Sequence, residues 1–309
     1  MPRPVLFDTD MGVDDAVALM LALCAKPLNV IGIATVGGNV SAAQAAVNAG
    51  RCLGPLRLRT MPPIAQGLDQ PEPGLADAAH IFGADGLGNS DLPPAAEWAP
   101  QSGLALYEDL CAQHAGELTI VAIGPLTNLA AVLDATPDVL SQVARIIIMG
   151  GAIFCPGNIT PKAEFNVWRD PAAAARVLGS DLPITLVPLD VTRKVVIDES
   201  HRARLAAGGT RSGQILATMM EFPMAQGIDG PPGRFVIHDA LAVGVLLWPE
   251  LFLQTQMPIT VVKDGEERGR TVPLKGRKEA PKASVILSVQ VADFLENMLE
   301  TLCSEAFVV

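Results

Sequence analysis

Short apolar runs alternate along this chain with stretches in which apolar side chains recur every three or four positions. Residues 4–7 read as a buried strand and 14–25 as a helix; 29–35 and 41–53 repeat that pair. Residues 118–123, 145–149 and 184–187 predict further strands, and 126–135 and 171–178 predict helices between them. Strands rich in Val and Ile on both faces, spaced by helices, predict an α/β fold. Its core is an open, mostly parallel, Rossmann-like sheet with helices on both faces and right-handed crossovers. From residue 258 a few antiparallel strands and a helix over 291–303 predict a small antiparallel addition near the C-terminus.

Two stretches break the rhythm. Residues 62–100 are rich in Gly, Pro and Asp and read as a long loop region, and residues 208–235 carry Gly208-Gly209, Phe222-Pro223 and a run from Asp229 to Gly233. Loops of this length inside a compact domain are usually functional. No repeat, low-complexity segment or linker divides the chain, so residues 1–309 are expected to form one domain.

Charge narrows the partners. The net charge is -11, and no Lys/Arg-rich block occurs. Nucleic acid and anionic membranes both require a basic footprint, so neither is an expected partner. The five cysteines form no CxxC pair, and Cys24, Cys52 and Cys111 stand among apolar residues, which reads as reduced core thiols. The N-terminus has no signal-peptide pattern, and the apolar run over 16–25 is too short to span a bilayer. The expected location is the cytoplasm.

The strongest chemical signal is Asp8-Thr9-Asp10-Met11-Gly12-Val13-Asp14-Asp15, four carboxylates in eight residues between a buried strand and a helix. In an open α/β sheet that is the carboxyl edge, where ligands bind. Asp14 and Asp15 fall in the first helical turn, which the helix dipole favours. Gly12 is expected to let the chain turn sharply from strand to helix. Four carboxylates so close repel one another unless some are protonated or a cation sits among them. All-oxygen ligation points to a hard ion, Ca²⁺ or Mg²⁺. Taken alone, the same residues also read as one helix cap and a solvated loop, although a cap needs a single carboxylate.

This segment resembles the N-terminal signature of the inosine-uridine preferring nucleoside hydrolases, and the resemblance runs from about residue 3 to residue 250. It implies calcium-dependent hydrolysis of the N-glycosidic bond of ribonucleosides. It also implies a homodimer or homotetramer acting on a small-molecule substrate. Carried over by position, Asp10 and Asp15 bind Ca²⁺, Asp14 holds the ribose hydroxyls and Asp8 supports the metal site from behind. Thr35-Val36-Gly37-Gly38-Asn39 resembles the segment whose asparagine lies beside the catalytic water, which assigns Asn39. Gly124-Pro125-Leu126-Thr127-Asn128 resembles the segment whose threonine carbonyl reaches calcium, which assigns Thr127. Met149-Gly150-Gly151 closes a strand at the sugar site, and Asn158, Glu164 and Asn166 match residues that hydrogen-bond the ribose hydroxyls. Phe165 reads as a packing wall of that pocket. Ile237-His238-Asp239 matches the pair that completes the site: Asp239 joins the calcium shell and touches ribose, and His238 serves as general acid to the leaving base. Asp10 is the implied base for the water. Alone, each of these later segments reads as a turn, a surface loop or a helix cap.

The chain departs from the family around the base. Many members carry a histidine just before the segment that here is Gly83-Ala84-Asp85-Gly86-Leu87-Gly88; this chain has Phe82 there and His80 two positions earlier. Phe82 can stack on a base but cannot donate a proton to it. Tyrosines frequent before the His-Asp pair are missing, and Tyr107 is the one tyrosine. Gly227 to Gly230 looks family-like, whereas residues 231–235 do not, and Arg234 is a candidate base contact or a solvated side chain. Two other readings compete. A haloacid-dehalogenase-type phosphatase also places Asp-x-Asp after its first strand, but would want a lysine and fewer carboxylates. A non-catalytic ribose- or nucleoside-binding protein would keep the calcium pocket without needing His238, Asn39 and Asp10 together.

Overall fold

In a computed structural model the described residues are 1–56, 58–70, 77–93, 102–227, 231–274, 276 and 279–304. The expected sheet is present and has eight strands. In chain order the strands are β1 (Arg3–Thr9), β2 (Leu28–Thr35), β3 (Ile64–Gln66), β4 (Thr119–Ala122), β5 (Arg145–Met149), β6 (Ile184–Val187), β7 (Val196–Asp198), β8 (Arg234–Val236), β9 (Phe252–Met257), β10 (Ile259–Val261), β11 (Thr271–Pro273) and β12 (Ala283–Val289). The large sheet runs β3-β2-β1-β4-β5-β6-β12-β9, and β10-β11 and β7-β8 form two small ribbons. All neighbours in the large sheet are parallel except β9, which pairs antiparallel with β12. The C-terminal addition is thus mixed, since β12 itself runs parallel to β6.

The two-residue alternation of the strands divides the core. Val5 and Phe7 of β1, Val121 of β4 and Ile147 of β5 pack on one face with helices Val13–Cys24 and Ala240–Leu247. Leu6, Ile120 and Ile148 pack on the other with helices Gly103–Gln113, Thr127–Ala135 and Pro171–Leu178. Helix Val13–Cys24 is buried nearly all round because it lies between the sheet and helix Ala240–Leu247.

The two irregular stretches hold more regular structure than their composition predicts. Within 62–100, β3 pairs with β2, and Ala79–Phe82 makes one helical turn. Segments of three and four residues are too short to show a periodic signal. Within 208–235, helices Arg211–Met219 and Glu221–Gln226 follow the Gly208-Gly209 turn. Thr210 caps the first of these by accepting from the Gly213 amide (3.1 Å), and Pro223 sits in the first turn of the second, where no amide donor is needed. Residues 228–230, with Asp229 and Gly230, lie outside the described residues.

The strand order places a switch point between β1 and β4, because β1 connects onward to β2 on one side and pairs with β4 on the other. Ligands in open α/β sheets bind in the crevice at that point, beyond the carboxyl ends of the strands.

Candidate active site

The acidic segment leaves β1 at this switch point. Met11 has φ +45 and carries the sharp turn, a strained conformation for a non-glycine residue. Gly12, expected to make that turn, is extended (φ -88, ψ -168). Glycine is needed there for space: a Cβ would lie 2.7 Å from Asn39 Nδ2 and 3.1 Å from the Phe82 ring. Gly38 is similar, since a Cβ there would lie 2.0 Å from Asp10 Oδ2.

The turn directs four buried carboxyls. Asp8 shares the face of Leu6, so it points towards helix Gly103–Gln113, where the Tyr107 hydroxyl donates to it; Asn128 Nδ2 donates to the same oxygen at 3.0 Å. Asp10 Oδ2 accepts from the Asn39 amide at 2.7 Å. Asp15 accepts from Thr9 Oγ1 at 2.5 Å, the Gly12 amide at 2.8 Å and Asn39 Nδ2 at 3.2 Å. Asp14 lines the open pocket.

Asp239 arrives from the far end of the chain. It precedes helix Ala240–Leu247, yet its side chain makes no capping bond and is free to face Asp14 and Asp15. One oxygen from each of Asp14, Asp15 and Asp239 lies within 4.8 Å of the others. Asp10 is beside this trio and not part of it. Helices Val13–Cys24 and Ala240–Leu247 pack together, so two positive helix ends flank the cluster.

Burial raises every carboxyl here above its ordinary value. Asp8 and Asp14 are each pushed to about 7, Asp14 further by the Asp15 charge. Asp10 and Asp239 rise well above the carboxylate range through burial first and then the neighbouring carboxylates. Asp8 Oδ1, Asp10 Oδ1 and Asp14 Oδ1 are buried with no hydrogen-bond partner among the described residues. Buried acceptors of this kind are costly unless a donor or cation meets them. An all-oxygen set of this charge fits a hard divalent ion.

This arrangement has a consequence for stability. Asp8 and Asp14 hold protons more tightly in the fold than in the unfolded chain, where the value is 3.8. Their contribution to stability is full below that value and is lost as pH rises through about 7. The thermal midpoint of chelator-treated protein is expected to fall, on the order of 5 °C, between about pH 5 and about pH 8, and saturating calcium should flatten the slope. Calorimetry or dye-based melting reads this. A slope unchanged by calcium would mean that calcium does not neutralise the cluster.

Above the cluster, Glu164 caps helix Phe165–Arg169. Its carboxylate accepts from the amides of Asn166 (2.8 Å), Gly151 (2.9 Å) and Val167 (3.1 Å). Asn166 Nδ2 donates to the Ile123 carbonyl at 2.8 Å, and Asn158 Oδ1 accepts from the Phe165 amide at 2.9 Å. These bonds fix three polar side chains on the pocket wall beside Met149, Phe165 and His238. His238 Nδ1 lies 2.8 Å from Thr192 Oγ1. One wall is apolar: Phe82 meets the ring of Phe235 edge-on at 6.3 Å, with Ile81, Pro223 and Val236 beside them in the lining.

A sequence model of the inosine-uridine preferring nucleoside hydrolases matches residues 5–296 of this chain. The chain belongs to that family. It is an N-ribosyl hydrolase. The pyrimidine-specific ribonucleoside hydrolase RihA of Salmonella gallinarum (strain 287/91 / NCTC 13346) is 37% identical over 315 residues, covering 98% of this chain and 99% of that protein. RihA of Escherichia coli O7:K1 (strain IAI39 / ExPEC) is 36% identical over 313 residues with the same coverage. Among solved structures, the plant nucleoside hydrolase PpNRh1 superposes with a TM-score of 0.93 at 29% identity, covering 98% of this chain and 100% of that one. A purine-preferring ribonucleoside hydrolase from Gardnerella vaginalis gives 0.93 at 28% identity, covering 99% and 100%. The phosphatase alternative falls with this match.

The nucleoside hydrolase fold brings Asp14, Asn39, Phe82, Met149, Asn158, Glu164, Phe165, Asn166, His238 and Asp239 to one pocket. Asp10 and Asp15 lie buried beneath it, touching Asn39. Thr127 begins helix Thr127–Ala135 at the end of β4, with its hydroxyl donated to Asp170 Oδ2 at 2.8 Å. His80 is exposed but stands at the pocket rim; Arg234 is exposed and outside the lining. Sequence reading missed Phe235 as a wall, Tyr107 and Asn128 as partners of Asp8, and Thr192 beside His238. Asn128 closes the Gly124-Pro125-Leu126-Thr127-Asn128 motif; the other three carry no local signal. Among the described residues no helix is long and apolar enough to cross a membrane.

Proposed function

We propose that this hydrolase is a calcium enzyme that releases the base from ribonucleosides, with Asp10 as base, His238 as acid and Asp14, Asn158, Glu164 and Asn166 as the ribose grip. The observation that carries this is the convergence of Asp14, Asp15 and Asp239 under a pocket walled by those polar side chains and His238. Asp10, Asp15, Asp239 and the Thr127 carbonyl would hold the ion. When bound, calcium supplies Lewis-acid activation of water and a charge that neutralises the cluster. Asn39, bonded to both Asp10 and Asp15, orients the Asp10 carboxylate towards the water.

The bond changes balance. A water oxygen bonds to C1′ as the C1′–N bond breaks, and that electron pair leaves with the base. The water proton passes to Asp10, and a proton from His238 passes to the departing nitrogen. Positive charge builds on the sugar in the transition state, and the carboxylates beneath it stabilise that charge. The fixed amides and the Glu164 carboxylate offer partners to the ribose hydroxyls, so a 2′-deoxyriboside leaves buried polar groups unpaired. Phe82 and Phe235 supply an apolar wall for the base.

The pyrimidine-specific relatives at 36–37% identity support uridine and cytidine as first substrates, and the purine-preferring structural relative supports inosine beside them. Release of reducing sugar from these nucleosides and from 2′-deoxyuridine, with EDTA and after return of Ca²⁺ or Mg²⁺, tests the reading. Ribosides are expected to be cleaved, the deoxyriboside far more slowly, and EDTA to stop the reaction until calcium returns. Undiminished turnover by protein shown to be metal-free would overturn the calcium assignment. A homodimer or homotetramer in the cytoplasm completes the proposal.

A further inference from the structure

We infer that Thr192 is the positioning residue of the leaving-group acid, its buried hydroxyl holding the His238 ring so that Nε2 serves the nucleobase. The inference rests on the proposed acid role of His238.

Thr192 is fully buried and ends the one-turn helix Leu189–Thr192. Its Oγ1 lies 2.8 Å from His238 Nδ1. This meeting is built into the backbone. The ribbon of β7 and β8 is antiparallel, and beyond it the Ile237 amide donates to the Val195 carbonyl at 3.2 Å. That register sets Val195 against Ile237, and the turn closed by the Val195 amide donating to the Thr192 carbonyl (3.1 Å) folds Thr192 back to His238. With Nδ1 turned to Thr192, Nε2 is on the opposite side of a ring that lines the pocket.

A hydroxyl suits this task because it accepts or donates by rotating. In the imidazolium, Nδ1–H donates to Oγ1. When the C1′–N bond breaks and its pair leaves with the base, the Nε2 proton moves to the base nitrogen. The ring is then neutral with Nδ1–H still bonded to Oγ1. When the ring instead rests with its proton on Nε2, the hydroxyl donates to Nδ1. A second partner atom on a histidine commonly fixes both tautomer and ring direction in this way.

The same short segment also anchors the sugar wall. Asp190 accepts from the amides of Ile153 (2.9 Å) and Phe154 (2.7 Å), and Arg193 donates to the carbonyls of Pro156 (2.5 Å) and Gly157 (2.6 Å). Residues 190–193 therefore register the acid against the loop that carries Asn158 and Glu164, so base and ribose are held relative to one frame.

The test compares Thr192→Val, Thr192→Ser and His238→Ala on uridine and inosine and on a nitrophenyl riboside, whose leaving group needs no proton. Thr192→Val is expected to lower kcat on nucleosides about 10- to 100-fold, with KM little changed and a far smaller loss on the nitrophenyl riboside. Thr192→Ser should recover most of the nucleoside rate. The nitrophenyl riboside rate also reports that each variant is folded, and Thr192→Ala replaces a valine variant that does not fold. Equal losses on both substrate types, or no loss on nucleosides, would overturn the inference while His238→Ala still discriminates between them. Should His238→Ala itself lose both equally, the acid reading fails, and the positioning role falls with it.

Discussion

The Asp239→Asn enzyme is expected to lose turnover by about 10³-fold or more while its metal-free form melts no lower than the metal-free wild type. The two halves have one cause. Asp239 is buried, its pKa is driven up first by burial and then by the charges of Asp14, Asp15, Asp10 and Glu164, and it does not cap its helix. An amide in its place removes repulsion and no helix-capping hydrogen bond. What it does remove is an anionic ligand, so the calcium-induced rise in melting temperature should vanish with the activity. Asp10→Ala and Asp15→Ala are expected to abolish turnover and calcium binding as well. Asp15→Ala should lower the melting temperature more than Asp10→Ala, because Asp15 accepts from Thr9, Gly12 and Asn39 whereas Asp10, among the described residues, accepts from the Asn39 amide alone. Melting curves with and without calcium, beside turnover, separate these cases. An Asp239→Asn protein that keeps its calcium response would remove Asp239 from the ligand set.

His238→Ala should divide substrates by their leaving groups. On uridine or inosine the loss is expected to be about 10²- to 10⁴-fold, the usual reach of general-acid help. On a nitrophenyl riboside the loss should be small, since that anion departs unaided. The ring lines the pocket among Asp14, Glu164 and Asp239, beside the apolar wall of Phe82 and Phe235. His80, at the rim, is the second histidine among the described residues that line the pocket. A His238→Ala enzyme that still discriminates like the wild type would move the acid role to another group, and a His80→Ala comparison identifies whether it is that one.

Most of the sheet was legible because parallel buried strands announce themselves as apolar runs of Val and Ile. The acidic segment after β1 was legible because four carboxylates in eight residues have no ordinary structural use. Short elements such as β3 and the turn of helix Ala79–Phe82 were not, since three or four residues hold no period. The turn departs from the expectation: a glycine usually signals backbone freedom, whereas Gly12 is there for lack of a side chain, and Met11 takes the positive φ.

The order of residues alone determined the α/β class, the acidic β1 edge and which residues are candidates for the chemistry. Only the tertiary structure decided which of them meet. Asp239 joins Asp14 and Asp15 because two helices pack side by side, Tyr107 reaches Asp8 across the sheet face, and Thr192 meets His238 where a turn leads into a two-stranded ribbon. Local pattern reports what each segment does with water and its own backbone. Contacts between residues 46, 99 or more than 200 positions apart depend on how faces pack, and that information is spread over the whole core.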